Sequence, residues 1–227
     1  MAKISFIIPA YNEGKLISGS IDRLKTELKG LDYEIIVAED GSSDKTAEII
    51  RSMAAPRVRL LHEDARLGKG KAVSEAIKKS KGEIVAFMDA DLSTDLTHLK
   101  RLIQGIENGA SISTGSRLRR GAEVEDTLPR RLARVAYNSL VRLTLGSAVF
   151  DHQCGFKAFR KKDILPFLDE IKDTGWFWDT ELLVLAQRRG LSVDEFPVKW
   201  KQGGGSRVRV SRDSWKMLAQ IIRMRFS

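Results

Sequence analysis

Residues 83–95 read EIVAFMDADLSTD, an apolar run that ends at two aspartates one residue apart. The run is almost entirely apolar, as expected of a strand buried on both faces of a parallel sheet. Alternate side chains of an extended segment share a face, so Asp89 and Asp91 can direct two carboxylates to one point beyond the strand. Hard oxygen ligands of this kind suit Mg²⁺ or Mn²⁺. Taken alone, the pair fits better with a solvated strand end followed by a helix cap at Asp91 or Ser93.

The chain on both sides of this stretch alternates short β-rich apolar runs with longer segments of helical periodicity. This is the βαβ pattern of a mostly parallel sheet with helices on its faces. Ligands bind such sheets at the carboxyl ends of the strands, where the segments PAYNE, EDGSSD and DADLSTD lie. The predicted strands are 3–9, 33–39, 57–63, 83–89 and 110–116, and the predicted helices are 15–28, 44–53, 69–80 and 96–107.

Beyond Arg117 the pattern changes. Residues 117–131 are polar and basic, which predicts a mobile loop. Residues 132–146 then return to helical periodicity, with arginines beside an apolar stripe. Further elements are predicted as a helix over 177–190, a strand over 192–200 and a basic amphipathic helix over 213–226.

The composition of the 227 residues, 42% hydrophobic and 30% charged, is that of an ordered protein with a proper core. The formal net charge of +9 suggests an anionic partner, whether nucleic acid, anionic lipid or a phosphorylated substrate. Cys154 is the only cysteine, so we expect no internal disulfide and a reducing compartment. We expect no signal peptide at the N-terminus, and no run approaches the roughly 18 apolar residues that cross a bilayer.

Two further segments at strand ends carry candidate binding groups. In EDGSSDKT (39–46), the Asp40 carboxylate could accept hydrogen bonds from a base or ribose, while Ser43 or Asp44 could equally cap the next helix. In RLGKGKA (66–72), two glycines and three cations precede a helix, a setting that suits phosphate, although a solvated turn explains it as well. The spacing is not that of a Walker loop.

The remaining polar residues favour structural roles. His62, His98 and His152 show no metal-like spacing, so we predict structural or surface positions for them. Asp179, at the start of the helix predicted over 177–190, is expected to cap that helix, with a supporting or acceptor-side carboxylate of the active site as the alternative. The aromatic residues at 176–178 are expected in the core or at an interface rather than as a platform for bases.

The ordered set of motifs resembles glycosyltransferase family 2, whose members have the GT-A fold. Three segments of the second half are similar to the polyprenyl-phosphate branch of that family, and most closely to dolichyl-phosphate glucosyltransferases. The first set is IIPAYNE (7–13), EDGSSDKT (39–46), GKGKAV (68–73), DADLS (89–93) and TGSR (114–117), and the second set is DHQCGFKAF (151–159), FWDTELLVLAQRRG (177–190) and VKWKQGGGSRV (198–208).

This resemblance implies one α/β GT-A domain over 1–227, a mostly parallel Rossmann-like sheet with a C-terminal amphipathic helix. Residues 1–117 would bind the nucleotide sugar, and 118–227 would bind the acceptor and carry membrane-surface helices. The implied activity is inverting transfer of a hexose to a polyprenyl or dolichyl phosphate, with Mg²⁺ or Mn²⁺. UDP-glucose is the favoured donor, with GDP-mannose and a UDP-N-acetylhexosamine as alternatives.

The resemblance also assigns roles to individual residues. Asp89, Asp91 and Arg117 are the expected catalytic residues, with both aspartates on the metal. The expected donor-binding residues are Pro9, Ala10, Tyr11, Glu13, Glu39, Asp40, Lys69, Ala90, Lys201, Ser206 and Arg207. The expected acceptor-phosphate residues are Arg117, Arg131 and Asp151.

Departures from the family pattern narrow the predicted donor sugar and reaction type. Glu39 stands where many relatives have aspartate, and Ser93 replaces an amide of mannosyl-transferring relatives, which weakens the case for a mannose donor. The signature of processive polysaccharide synthases is missing. A sugar-nucleotide nucleotidyltransferase and a non-catalytic RNA binder remain as lower alternatives, but we expect no nucleic-acid partner. We expect a peripheral protein on the cytoplasmic face of a membrane, with a membrane-anchoring subunit as a further possibility.

Overall fold

A seven-stranded sheet is the centre of the fold in the computed structural model, which describes residues 3–203 and 210–226. Its strands are β1 (Ile4–Ala10), β2 (Tyr33–Asp40), β3 (Val58–Glu63), β4 (Ile84–Met88), β5 (Ile112–Ser116), β7 (Phe156–Arg160) and β8 (Val193–Pro197). Two short strands, β6 (Glu123–Glu125) and β9 (Lys199–Lys201), form a separate parallel pair. The five strands predicted in the first 117 residues are confirmed, because short β-rich runs between helical segments specify strands locally.

The helices cover both faces of this sheet. They are α1 (Ile17–Glu27), α2 (Thr46–Ser52), α3 (Lys69–Lys79), α4 (Leu99–Glu107), α5 (Leu128–Leu145), α6 (Lys161–Ile164), α7 (Trp178–Arg188) and α8 (Val210–Arg225). A 3₁₀ turn precedes α4, and another follows α6. The predicted α/β class is confirmed, and the last helix of the chain is α8. Among the described residues, none of the helices is both long and apolar enough to pass through a membrane.

The strand order is β3-β2-β1-β4-β7-β5-β8, with β7 antiparallel to both of its neighbours and the other pairs parallel. Successive residues of β1 point to opposite faces, so Phe6 and Ile8 enter one core layer and Ile7 enters the other. All three side chains are fully buried. Each contributes roughly 1.5–3 kcal/mol by leaving water.

The insertion of β7 changes how the two halves of the sequence relate. This strand was not predicted, and it brings part of the second half between β4 and β5. The boundary at Arg117 therefore does not separate two structural units. The sheet is continuous across it, and the polar strand ends of the first half are completed by residues from the second.

The prediction of a mobile loop over 117–131 is wrong in its second part. Val124 of β6 pairs with Trp200 of β9, and α5 begins at Leu128, four residues before the predicted start. Proline at the first turn favours the start of α5, and Gly146, with φ 70°, ends it in the left-handed conformation. The β6–β9 pairing joins residues far apart in sequence, so local composition could not reveal it.

Helices α5 and α8 form an outer layer that packs on α7. Val141 of α5 and Ile221 and Met224 of α8 are buried with Phe177 and Val184 in one cluster. Trp178 lies in the main core, where its indole N–H donates to Ser74 Oγ over 2.8 Å. The prediction of a core position for the aromatic residues at 176–178 is therefore confirmed for the last two.

The opposite faces of α5 and α8 are exposed. On α5 the exposed apolar side chains recur at helical spacing: Leu128, Leu132, Val135, Leu140 and Leu143. On α8 they include Trp215 and Ile222, and Phe226 follows directly after the helix. Because both helices rest on α7 by their buried faces, these two stripes point away from α7 and from the sheet.

Candidate active site

The two aspartates of EIVAFMDADLSTD lie in the turn that follows β4. The amide of Asp89 donates to Gly155 O over 3.1 Å, and the amide of Ser93 donates to Asp91 Oδ1 over 3.1 Å. Leu92, between Asp91 and Ser93, has φ 49°, in the left-handed region that leucine rarely adopts. The turn is therefore held in a costly conformation, which is common where a backbone positions functional groups.

Neither Asp91 nor Ser93 caps the following helix. Asp95 does so, because its Oδ1 accepts a hydrogen bond from the amide of Thr97 over 2.9 Å. The hydrogen bonds from Thr97 lower the pKa of the Asp95 carboxyl. The alternative that Asp91 or Ser93 serves as the cap of the next helix therefore does not apply.

Glycines make room for both carboxylates. A Cβ atom added at Gly155 would lie 1.9 Å from Asp89 Oδ2, and one added at Gly203 would lie 2.4 Å from Asp91 Oδ2. The backbone therefore encloses each carboxylate more closely than any other residue would permit. Two carboxylates in such slots fit a hard divalent cation that takes its other ligands from water and a diphosphate. Over the described residues, no group of three or more His, Cys, Asp or Glu side chains forms a complete protein cage.

Lys69, the first residue of α3, reaches the same place. Its Nζ lies 2.7 Å from Asp89 Oδ1 and 3.9 Å from Asp179 Oδ2. Burial lowers the pKa of Lys69, but the charges of Asp89 and Asp179 outweigh burial and raise it above its ordinary value. The side chain therefore stays a cation beside the candidate metal carboxylates.

The backbone at the start of α3 does not form an open phosphate site. The amides of Leu67 and Gly68 donate to Asp40, and the amides of Gly70 and Lys71 donate to Thr174 O. The protein itself thus satisfies the donors that a phosphate would use. These four amides are therefore not available to a phosphate, whereas the Lys69 side chain faces the Asp89 carboxylate.

Asp40 and Glu39 lie beneath the site. Asp40 is 3% exposed and accepts the Leu67 and Gly68 amides at 2.6 and 3.0 Å. Burial raises the pKa of Asp40, although these hydrogen bonds oppose the rise. Glu39 is fully buried and binds His62 and the Ser42 amide. In this arrangement Glu39 supports the loop after β2, and its carboxylate does not reach the open edge of the sheet.

The loops after β1 and β2 are joined by hydrogen bonds. The Asn12 amide donates to Ser42 Oγ and the Glu13 amide to Thr46 Oγ1, both over 2.8 Å. The Ser43 amide donates a hydrogen bond to Asn12 Oδ1 over 2.8 Å. Asn12 has φ 54°, a conformation that asparagine tolerates better than most residues. The two loops therefore form one rigid rim.

Other predicted donor residues border this rim. Pro9 and Ala10 are the last residues of β1, and the Tyr11 ring that follows carries the Arg66 guanidinium 4.0 Å from its centroid. The carbonyl of Ala90 accepts a hydrogen bond from Ser20 Oγ, which ties the Asp89–Asp91 turn to α1.

Arg117 and Asp151 form a buried, two-pronged ion pair. Arg117 Nε and Nη2 donate to the two carboxylate oxygens of Asp151 over 2.7 and 2.9 Å, and the Arg117 amide adds a third bond over 2.9 Å. Burial alone would raise the pKa of Asp151, but the guanidinium outweighs it and lowers that pKa to about 2. Asp151 is thus ionised at all ordinary pH values and fixes the Arg117 side chain.

The other predicted cations lie further out. Arg131 is exposed on α5, whereas Arg134, three residues later, is partly buried and donates to Asp126 over 2.6 Å. Lys201 is exposed and pairs with Glu125 across the β6–β9 ladder over 2.7 Å. Ser206 and Arg207 lie outside the described residues.

Strand β9 connects this acceptor-side region to the aspartate turn. The Lys201 amide donates to Ser93 O and the Asp95 amide donates to Lys199 O, both over 2.9 Å. The Trp200 ring lies within 6 Å of both the Arg117 and the Arg134 guanidinium. The turn, β9 and β6 thus form one hydrogen-bonded ribbon.

The comparisons with known proteins agree with this geometry. The family model described as Glycosyl transferase family 2 matches residues 5–165. The chain belongs to glycosyltransferase family 2. Glycosyltransferase AglD of Haloferax volcanii is 41% identical over 228 residues, covering 97% of this chain and 36% of AglD. Dolichyl-phosphate beta-glucosyltransferase ALG5C of Trichomonas vaginalis is 34% identical over 223 residues, covering 91% of this chain and 66% of that protein.

This family 2 chain therefore spans just over a third of AglD and about two thirds of ALG5C. Among solved structures, it resembles glucosyl-3-phosphoglycerate synthase from Mycobacterium tuberculosis in complex with Mn²⁺, UDP and glucosyl-3-phosphoglycerate. That match has 25% identity and a TM-score of 0.72, and it covers 98% of this chain and 78% of the other. The GT-A fold predicted from the motifs is confirmed.

The histidines have the structural roles that the sequence predicts. His152 is fully buried, its Nδ1 donating to Asn138 Oδ1 and its Nε2 accepting from Ser147 Oγ. Burial lowers its pKa to about 3, so the ring is neutral. His98 accepts the Lys199 amide on Nε2 over 2.9 Å, and burial lowers its pKa as well.

Two charged residues of this glycosyltransferase domain were missed or misassigned. The prediction that Asp179 caps α7 is wrong, since Asp173 accepts the Gly175 and Phe177 amides at that helix start. Asp179 instead accepts a 2.9 Å hydrogen bond from Lys157. Lys157 was not singled out, although a lysine inside the apolar run FKAF is a signal for a buried charge with a partner.

Proposed function

We propose that this domain transfers a hexose, with inversion, from a nucleotide sugar to a polyprenyl or dolichyl phosphate, and that UDP-glucose is the donor. The observation that carries the proposal is the Asp89–Asp91 turn, whose carboxylates sit in glycine slots beside Lys69. The names of the relatives, among them dolichyl-phosphate beta-glucosyltransferases, support the acceptor. The UDP complexes of the solved neighbour support the base of the donor.

Asp89 and Asp91 are the residues that would hold Mg²⁺ or Mn²⁺. A bound divalent cation would supply charge neutralisation for the leaving nucleoside diphosphate. The solved neighbour was crystallised with Mn²⁺, which supports a divalent metal here. Lys69 adds a second positive charge next to Asp89, within reach of a diphosphate held at the same place.

The donor pocket in this proposal is the rim formed by the loops after β1 and β2. Pro9, Ala10, Tyr11 and Glu13 border it from one side, and Ala90 borders it from the aspartate turn. Asp40 would meet the base only by exchanging its hydrogen bonds with the Leu67 and Gly68 amides. Its contribution as placed is to hold the segment that leads to Lys69. Lys201, Ser206 and Arg207 are proposed to cover the donor from the β9 side.

The acceptor needs no strong general base. A phosphate monoester is mostly anionic near neutral pH and can attack the anomeric carbon directly. The task of the protein is then to position it and to offset its charge. Arg117 is the proposed phosphate contact, because Asp151 holds its guanidinium in one orientation. Asp151 acts through Arg117, and Arg131 on α5 is a proposed contact further out.

The outer faces of α5 and α8 suit the surface of an anionic membrane, where a lipid acceptor would be found. Each presents an apolar stripe flanked by cations such as Arg131, Arg142, Lys216 and Arg225. Such helices lie in the interface with their apolar side inserted. We propose that the domain works at the cytoplasmic face, joined to the membrane by these helices or by an anchoring partner.

The test is an assay with Mn²⁺, a panel of UDP-glucose, GDP-mannose and UDP-N-acetylglucosamine, and a short polyprenyl phosphate. We expect release of UDP from UDP-glucose only when the lipid phosphate is present. 3-Phosphoglycerate serves as the soluble control acceptor, chosen from the chemistry of the solved neighbour. Lipid-dependent release from GDP-mannose would replace the donor, pyrophosphate would indicate a nucleotidyltransferase, and no product with any acceptor would contradict the proposal.

A further inference from the structure

Four charged side chains, from β7, α7, α3 and the turn after β4, form a chain that ends at the candidate metal site. Lys157 Nζ donates to Asp179 Oδ1 over 2.9 Å, and Asp179 Oδ2 lies 3.9 Å from Lys69 Nζ. Lys69 Nζ in turn donates to Asp89 Oδ1 over 2.7 Å. The signs alternate along the chain, so each inner group has an opposite charge on both sides.

Burial decreases steadily along this chain. The Lys157 side chain is fully buried, those of Asp179 and Lys69 are 5% and 17% exposed, and that of Asp89 is 40% exposed. A buried ion pair such as Lys157–Asp179 seldom stabilises a fold more than apolar side chains of the same size would. Its presence here is better explained by what its outer end does for Lys69.

The position of Lys69 relative to Asp179 is fixed by close packing of two helix starts. A Cβ atom at Gly68 would lie 2.3 Å from Thr174 O, and one at Gly70 would lie 2.4 Å from Trp178 Cβ. The residues on both sides of Lys69 thus touch the segment that leads directly into Asp179. The glycines of LGKG, which do not cradle a phosphate with their backbone, are explained by this contact.

Aromatic rings enclose the Lys69 ammonium on its remaining sides. Its Nζ lies 5.4 Å from the Phe87 ring centroid and 5.2 Å from that of Trp176. These apolar walls leave the carboxylates of Asp89 and Asp179 as its charged partners within 4 Å among the described residues. The ammonium is therefore shared between an outer carboxylate at the metal site and an inner one.

We propose that Asp179 is a positioning residue that shares the Lys69 ammonium with Asp89, and so leaves Asp89 able to bind a divalent cation while Lys69 faces the diphosphate. This inference rests on the proposed function, since it concerns the same site. It gives Asp179 a role that its place at a helix start did not suggest. It also gives Lys157 a role, because Lys157 holds Asp179 in place from the core.

The physical consequence is a competition at Asp89. When Asp179 is neutralised, Asp89 is left as the carboxylate within 4 Å of Lys69 among the described residues, and the ammonium opposes a cation there. Removing the Asp179 carboxylate, about 4 Å from the Lys69 ammonium, should weaken divalent-cation binding at Asp89 by about ten-fold or more. Binding of UDP without metal should not weaken, because the site becomes more positive.

The experiment titrates Mn²⁺ into the full chain with UDP present and measures free Mn²⁺ by electron paramagnetic resonance. We expect Asp179→Asn to raise the Mn²⁺ concentration at half-saturation about ten-fold, with metal-free UDP affinity retained. The matched control is Asp173→Asn, which removes a carboxylate from the same segment but keeps its amide-accepting oxygen. The control should titrate like the unchanged protein.

A double-mutant cycle separates positioning from a general structural effect. In a Lys69→Met background, Asp179→Asn should cause no further change in Mn²⁺ affinity. An undiminished effect in that background, or equal Mn²⁺ affinity of Asp179→Asn and the unchanged protein, would overturn the inference.

If Asp179→Asn does not fold, the paired replacement Lys157→Met with Asp179→Leu serves in its place. It removes both buried charges together, and the same weaker Mn²⁺ binding is expected from it. Failure of the unchanged protein to bind Mn²⁺ and UDP would contradict the proposed function and this inference with it. Normal binding without the coupling would contradict the inference alone.

Discussion

Two carboxylates at the strand ends of the first half are held by backbone amides, whereas two carboxylates of the second half are held by full opposite charges; Asp89, paired with Lys69, stands between these groups. Asp40 and Asp91 accept amide hydrogen bonds from neighbouring turns. Asp151 and Asp179 are paired with Arg117 and Lys157. An amide orients a carboxylate without cancelling its charge, so the first group can still attract a cation. The second group is neutralised as pairs and serves to position the partner cations.

This difference predicts which substitutions lower the free energy of unfolding and which lower only the rate of transfer. The largest effect is expected from Arg117→Met, which leaves the fully buried Asp151 charge without its partner. Breaking a buried pair in this way costs about 3–5 kcal/mol in the free energy of unfolding. Urea denaturation followed by circular dichroism measures it.

The paired variant Arg117→Met with Asp151→Leu tests the cause of that loss. It should recover most of the stability, because no unpaired charge remains, while transfer to a phosphate acceptor stays low. A single variant as stable as the unchanged protein would mean that the pair does not position Arg117 by charge.

Asp91→Ala should lower the transfer rate but leave the stability of the fold nearly unchanged. The carboxylate is held by one amide and is proposed to bind the metal, so transfer should fall by about two to three orders of magnitude, the usual cost of losing one electrostatic stabiliser. The free energy of unfolding should change little. Initial rates with saturating Mn²⁺ measure the loss.

Asp95→Ala is the matched control, since Asp95 lies four residues further along the same turn and caps the next helix. It should lose about 1 kcal/mol of stability and keep its transfer rate. Near-normal turnover by Asp91→Ala would remove the distinction between the two kinds of carboxylate.

A smaller effect on stability is expected when the pH is lowered, because the buried His152 ring is neutral in the folded protein. The folded-state pKa of about 3 lies below the ordinary value near 6.5, so the unfolded chain takes up the proton first as the pH falls. The stability from this group is present above about pH 6.5 and decreases as the pH falls toward 3. At pH 5 the decrease should be about 2 kcal/mol.

Thermal denaturation between pH 7 and 5 measures this slope. His152→Gln should flatten it, because glutamine does not titrate. The groups that influence His152 are Asp151, whose charge favours the protonated ring, and Lys157 and Arg142, whose charges oppose it. An equal slope in both proteins would show that another group controls stability in this range.

The smallest effect on stability is expected at the outer face of α5. Leu132→Gln and Leu143→Gln change side chains that are 60% and 86% exposed, so the free energy of unfolding should stay within about 0.5 kcal/mol. Flotation with anionic vesicles should instead show clearly weaker binding. Val141→Gln, on the buried face of the same helix, should reverse the pattern and lose stability. Unchanged flotation would argue against a membrane at this face.

The sequence was most informative where structure is local. The strands up to Ser116 and the helices between them followed from apolar periodicity, and the polar groups at their ends came together because parallel strands end at one edge. Asp89 and Asp91 were found in this way. The glycines opposite them, Gly155 and Gly203, come from distant segments, so their function as slots required the fold.

Pairings between distant segments could not be predicted. The insertion of β7, the β6–β9 ladder and the Lys157–Asp179 pair all join residues that only the folded chain brings together. Asp179 was expected to cap a helix because its position at the helix start fits that role locally. The buried lysine was the better signal, since a charge in an apolar strand needs a partner.

The antiparallel strand β7 between β4 and β5 also sets an order of events during synthesis. Chains emerge from the ribosome at about 5–20 residues per second and begin to fold from the N-terminus. Strands β1 to β4 can pair as they appear, but β5 has no neighbour until residues 156–160 follow it. The Asp89 turn likewise waits for the Gly155 carbonyl. For several seconds the nascent chain therefore carries an unpaired strand and an unfinished active-site turn, a window in which chaperones would be expected to bind.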